Sequence, residues 1–133
     1  MPPGERFKAL IGEVIAPKLT ARGYQRSGQG FYLGVSGNWG VINFQRSTSS
    51  TRDAVRFTIN LGVSSARLTR YLSPAQEGRK PSIWDRHWRE RIGWLLPARQ
   101  DVWRTVDGTT EMGALADELR QHVCELAVPE VGR

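Results

Sequence analysis

The side chains best suited to chemistry in this sequence are amides and guanidinium groups at alternate positions. Asn43 and Gln45 lie in one segment, Arg56 and Asn60 in the next, and Arg89 and Arg91 in a third. In an extended chain, residues an even number apart point to the same side, so each pair would stand on one face of a strand. Arginines beside side-chain amides on adjacent strands can hold a carboxylate or phosphate through several N–H donors, with bidentate geometry from the guanidinium. Solvent alone also produces a polar strand face, with cross-strand pairs such as Glu90 to an arginine. The amides weigh against that account, because Asn is depleted in strands without a reason. These six residues are the ligand-binding candidates.

Covalent and metal chemistry has less to work with. His87 sits between Trp84 and Trp88 with Asp85 two positions away, and the corresponding enzyme reading is a general base oriented by a carboxylate. On a strand the two stand side by side, and no nucleophile accompanies them. His87 and Asp85 are therefore secondary candidates, and no catalytic residue is assigned. His122 reads as a solvated or packing residue, and Cys124 as a small buried apolar one. Two distant histidines and one cysteine give no metal-ligand spacing, so no metal and no cofactor is expected.

The elements that would carry these residues follow from hydrophobic period. Phe7, Leu10, Ile11, Val14, Ile15 and Leu19 make one helical stripe, which Pro17 kinks or makes irregular and Gly23 stops. Phe31 to Leu33 is a short strand; Ser36-Gly37-Asn38 is turn chemistry; Trp39 to Arg46 completes a hairpin. Val55 to Val63 alternates most cleanly, with Val55, Phe57, Ile59, Leu61 and Val63 on one side and Arg56, Thr58, Asn60 and Gly62 on the other. Ser64 to Leu72 can form a short helix, Ser73 to Ser82 a loop, His87 to Leu95 a strand, and Val102 to Val106 another. After the Asp107-Gly108 turn, a last helix is expected with Thr109 or Thr110 as N-cap. Met112, Leu115, Ala116, Leu119, Val123 and Leu126 form its stripe, and Pro129 ends it.

Composition bounds the rest. One hundred and thirty-three residues make one domain. No apolar run approaches the roughly 20 residues of a membrane span, no secretory leader is apparent, and a lone cysteine excludes a disulfide framework. A soluble, cytoplasmic domain is expected. The net charge of +6 is uneven: residues 46–91 carry ten basic and four acidic groups, whereas residues 92–133 carry four basic and seven acidic. Sixteen of the nineteen basic residues are arginine, which suits oxyanion recognition and equally fits a GC-rich genome. Aromatics interleaved with arginine between Trp84 and Trp94 would suit stacking on bases, yet no nucleic-acid motif or basic tail accompanies them.

Three runs carry a resemblance. Gly37-Asn38-Trp39-Gly40-Val41-Ile42-Asn43-Phe44-Gln45-Arg46-Ser47, Arg56-Phe57-Thr58-Ile59-Asn60-Leu61-Gly62-Val63 and Trp84-Asp85-Arg86-His87-Trp88-Arg89-Glu90-Arg91-Ile92-Gly93 look like the signatures of bacterial domain-of-unknown-function family 4304. Order and spacing agree from first helix to last. The resemblance implies a stand-alone bacterial domain and supplies no activity or catalytic residue.

The expected fold is α+β: an antiparallel sheet of about four to six strands with the N- and C-terminal helices packed on one face. The expected function is a small non-catalytic binding module that contacts a protein or an anionic small molecule through the other, polar face and the basic central segment. A small enzyme using His87 and Asp85, or a nucleic-acid-binding domain, is the alternative.

Overall fold

A computed structural model describes residues 2–35, 38–64, 88–91 and 103–131. Its described strands are β1 (Gln25–Ser27), β2 (Gly30–Val35), β3 (Asn38–Arg46), β4 (Ala54–Ser64), β5 (Trp88–Arg91) and β6 (Arg104–Asp107). They form one antiparallel sheet in the order β1-β2-β3-β4-β5, and β6 also pairs with β4. The expected hairpin is β2–β3, with Gly34 opposite Trp39 and Phe31 opposite Ile42. β1 has no hydrophobic alternation, so its sequence does not announce it; it is held as a short edge by Gln25 to Ser27 pairing with Gly30 to Tyr32.

The outer edge of β4 is shared end to end. β5 lies along Asn60 to Val63, and β6 along Ala54 to Phe57. The strand expected at Val102 to Val106 is shifted, to Arg104–Asp107.

Both terminal helical regions pack on one face. Phe7, Leu10, Ile11, Ile15 and Leu19 from the first, and Leu115, Leu119, Val123 and Ala127 from the last, meet Phe31, Ile42, Phe44, Val55, Phe57, Ile59, Leu61 and Val106 in one buried cluster. Phe57 is its aromatic centre, with ring centroids 4.8 Å from Phe7 and 6.4 Å from Phe44. Burying each such side chain contributes roughly 1.5–3 kcal/mol.

The two helical regions share a device. The first runs α1 (Pro3–Ala9), a π segment Leu10–Ile15, then α2 (Ala16–Thr20). The last runs α3 (Met112–His122), a π segment Val123–Ala127, then α4 (Val128–Val131). In each, the residue before a proline donates five residues back, Ala16 to the Ile11 carbonyl and Val128 to the Val123 carbonyl. Proline lacks an N–H and crowds the carbonyl four residues earlier; widening the turn just ahead of it accommodates both defects. Pro129 therefore does not end the last helix, which continues to Val131, and Pro17 is carried in the same way.

The ends are capped locally. Gly23, at φ 91°, closes α2 as Tyr24 N–H donates to the Leu19 carbonyl and Gly23 N–H to that of Thr20. At α3 the N-cap is Glu111 rather than a threonine: its carboxylate accepts from Gly113 and Ala114 N–H. Thr110 Oγ1 is engaged one turn earlier, accepting from Asp107 N–H. Hydrogen bonds from Thr109 and Thr110 hold the Asp107 carboxyl below its usual range. Arg6 ties α1 to that turn by donating to the Asp107 and Thr110 carbonyls.

The short helix expected at Ser64 to Leu72 is replaced at its first residue, since β4 extends through Ser64. Its remainder and the loop to Ser82 lie outside the described residues. Of the strand expected at His87 to Leu95, the described part is β5.

Candidate functional site

The second sheet face is the one alternation makes polar. The register sets Asn43 opposite Asn60, Gln45 opposite Thr58, Val41 opposite Gly62 and Trp39 opposite Ser64. Its centre is closed to water: Val41 is 0% exposed, Thr58 1%, Ser64 5% and Asn60 6%. Solvent alone therefore does not account for its polarity. Asn43 and Gln45 are half-buried and Arg56 is exposed, so the face grades from a buried centre to a reachable margin. Buried polar groups need partners, and Asn60 has them. Its Nδ2 donates to Gln45 Oε1 at 2.7 Å and to Asn43 Oδ1 at 3.4 Å. The structure thus brings three of the six sequence-predicted candidates into one amide cluster.

The other three stand around it. Arg56 begins the same face of β4, with its guanidinium 5.8 Å from the Trp103 ring centroid and 3.5 Å from Ser49 Oγ. Its backbone is clasped by Ser50, whose Oγ accepts from Arg56 N–H and donates to the Arg56 carbonyl. On β5 the register sets Arg91 opposite Asn60 and Arg89 opposite Gly62. The enzyme candidates Asp85 and His87 lie outside the described residues.

At the other end of the face, the Trp39 ring lies over Gly34. A methyl group at Gly34 would come within 2.9 Å of that ring, so glycine is what lets the indole lie flat on β2. Trp39 Nε1 is buried with no hydrogen-bond partner among the described residues. Alternation alone puts Trp39 on this face.

Elsewhere, α2 and the last helical region flank an open groove of about 410 Å³, lined by Lys18, Arg22, Asp117, Arg120, Cys124 and Glu125 among others. Cys124 is half-buried at this groove rather than in the core, where Val123 and Ala127 take the inward positions. Arg104 and Glu118 form an ion pair near His122, whose pKa burial lowers; Glu118 opposes that shift and Arg104 adds to it. Among the described residues, no group of three or more His, Cys, Asp or Glu side chains is arranged to hold a metal ion, and no helix is long and apolar enough to cross a membrane.

No curated protein and no solved structure matches the chain. A family model matches residues 15–132, a span that includes the three signature runs. The chain belongs to the family described as Domain of unknown function (DUF4304).

Proposed function

We propose that this domain is a non-catalytic binding module that contacts an anionic small molecule, or an anionic group on a protein partner, at the second sheet face. The observation that carries the reading is the amide cluster: three side-chain amides from adjacent strands, one of them buried, joined by hydrogen bonds. A buried polar network costs stability unless every member is satisfied. A half-buried margin of amides is therefore a place where a ligand's polar atoms gain more than they would on an open strand.

A further feature supports the reading. The register aligns Arg91 with Asn60 and Arg89 with Gly62, and arginine is the side chain fitted to planar oxyanions. The reading assigns the domain to the cytoplasm, which its single cysteine supports.

A thermal-shift screen of anions and anionic metabolites tests it, run on the wild type, on the double variant Asn43→Ala/Gln45→Ala, and on Arg56→Ala and Arg89→Ala. The expected result is at least one anion that raises the wild-type melting temperature and leaves that of the amide variant unmoved. Hits that persist in all variants would place binding elsewhere.

A further inference from the structure

The direction of the Asn60 bonds decides which half of each neighbouring amide is left for a ligand. The two bonds from Nδ2 end on oxygens, Gln45 Oε1 and Asn43 Oδ1. A side-chain amide carries an acceptor on one side and two N–H donors on the other. With both oxygens turned to Asn60, the NH2 groups of Asn43 and Gln45 are the halves turned away from it. Asn60 is 6% exposed and sits in the middle of β4, paired on one side with β3 and on the other with β5. Asn43 and Gln45 are half-buried and accessible.

We infer that the site selects a ligand group that only accepts hydrogen bonds, a carboxylate or a phosphate oxyanion, and that Asn60 is the positioning residue that sets this choice. The inference rests on the anion-binding reading above and adds the donor groups that meet the ligand and the residue that orients them. An ammonium group would meet donors with donors; an oxyanion finds the N–H groups of two amides on the same face of β3. Arg91 at the register position of Asn60, and Arg89 two residues before it, are residues of the matching charge on the adjoining strand.

The test follows the side-chain NH2 resonances of Asn43 and Gln45 in ¹⁵N-labelled protein. The titrants are sodium acetate, sodium phosphate and methylammonium chloride at constant ionic strength. In the wild type, acetate or phosphate shifts these resonances saturably, the two arms separating carboxylate from phosphate, and methylammonium leaves them in place. Gln45→Glu keeps an oxygen for Asn60 but replaces the donor with a negative charge, so oxyanion binding weakens by about tenfold or more. Asn60→Asp presents oxygens where the wild type presents hydrogens; the Asn43 and Gln45 amides then turn over, the oxyanion response is lost and a methylammonium response appears. If Asn60→Asp fails to fold, the wild type and Gln45→Glu decide the matter. Anion shifts that persist in Asn60→Asp would overturn the role of Asn60 and leave the anion-binding reading standing; resonances that move with methylammonium and not with acetate or phosphate would overturn both. Resonances that none of the three moves would overturn both.

Discussion

The amide of Asn60 on β4 donates to Oε1 of Gln45 on β3 at 2.7 Å, although the two are not register partners: Asn60 faces Asn43, and Gln45 faces Thr58. The bond runs diagonally across the sheet face, a reach open to longer side chains on neighbouring strands. A donor left unpaired in a buried position costs about 1–3 kcal/mol. Gln45→Ala is therefore expected to destabilise by roughly that amount in urea unfolding. A double-mutant cycle with Asn60→Ala should return a coupling of about 1 kcal/mol; strict additivity would mean that the two amides do not interact.

Phe57 joins the helices to the sheet through its contacts with Phe7 and Phe44. Phe57→Ala should lower stability by about 3–5 kcal/mol, measured as a shift in denaturation midpoint. Arg56→Ala, at the exposed margin of the other side of the same strand, should cost less than about 1 kcal/mol. Equal effects at the two positions would contradict the assignment of faces.

Tyr24 is 3% exposed and its hydroxyl has no hydrogen-bond partner among the described residues. Burial pushes its pKa up to about 12, and Arg22 pulls weakly the other way. The unfolded phenol ionises near 10.0, so above that pH the unfolded chain releases its proton first, and stability falls until the folded phenol also ionises near 12. Tyr24→Phe should remove this alkaline loss and, by deleting an unpaired hydroxyl, raise stability at neutral pH by about 1 kcal/mol. Melting curves from pH 8 to pH 11 check both effects.

His122 gives the opposite slope. Its folded pKa is lowered from 6.5, chiefly by burial. Between the lowered value and about pH 6.5 the unfolded chain binds more protons, so stability rises with pH across that window and declines on acidification through it. His122→Gln should flatten melting temperature against pH between pH 5 and pH 7. An unchanged slope would assign the dependence to other groups.

Much of the fold is legible in side-chain period. Val55 to Val63 declares β4 because a strand buried under helices must repeat every two residues, and the same parity assigns Asn43, Gln45 and Asn60 to the far face. What parity does not carry is depth. Nothing in the pattern of Thr58, Asn60 and Ser64 distinguishes a solvated face from one closed to water, because burial depends on what lies across the sheet. Local competition hides other features. Glu111 displaces the threonines as N-cap because Asp107 has already engaged both threonines in its own turn. The π segments are invisible to a 3.6-residue period, although a proline inside an otherwise unbroken apolar stripe, as at Pro17, is the mark they leave.

Among the described residues, an anion has two contrasting places to land: the amide face, and the groove bordered by Lys18, Arg22 and Arg120. A backbone ¹H–¹⁵N shift map of the wild type titrated with sodium phosphate at constant ionic strength decides between them. Saturable shifts centred on residues 43–45 and 58–60 are expected. Shifts centred on Lys18, Arg22 and Arg120, with β3 and β4 unmoved, would contradict binding at the amide face.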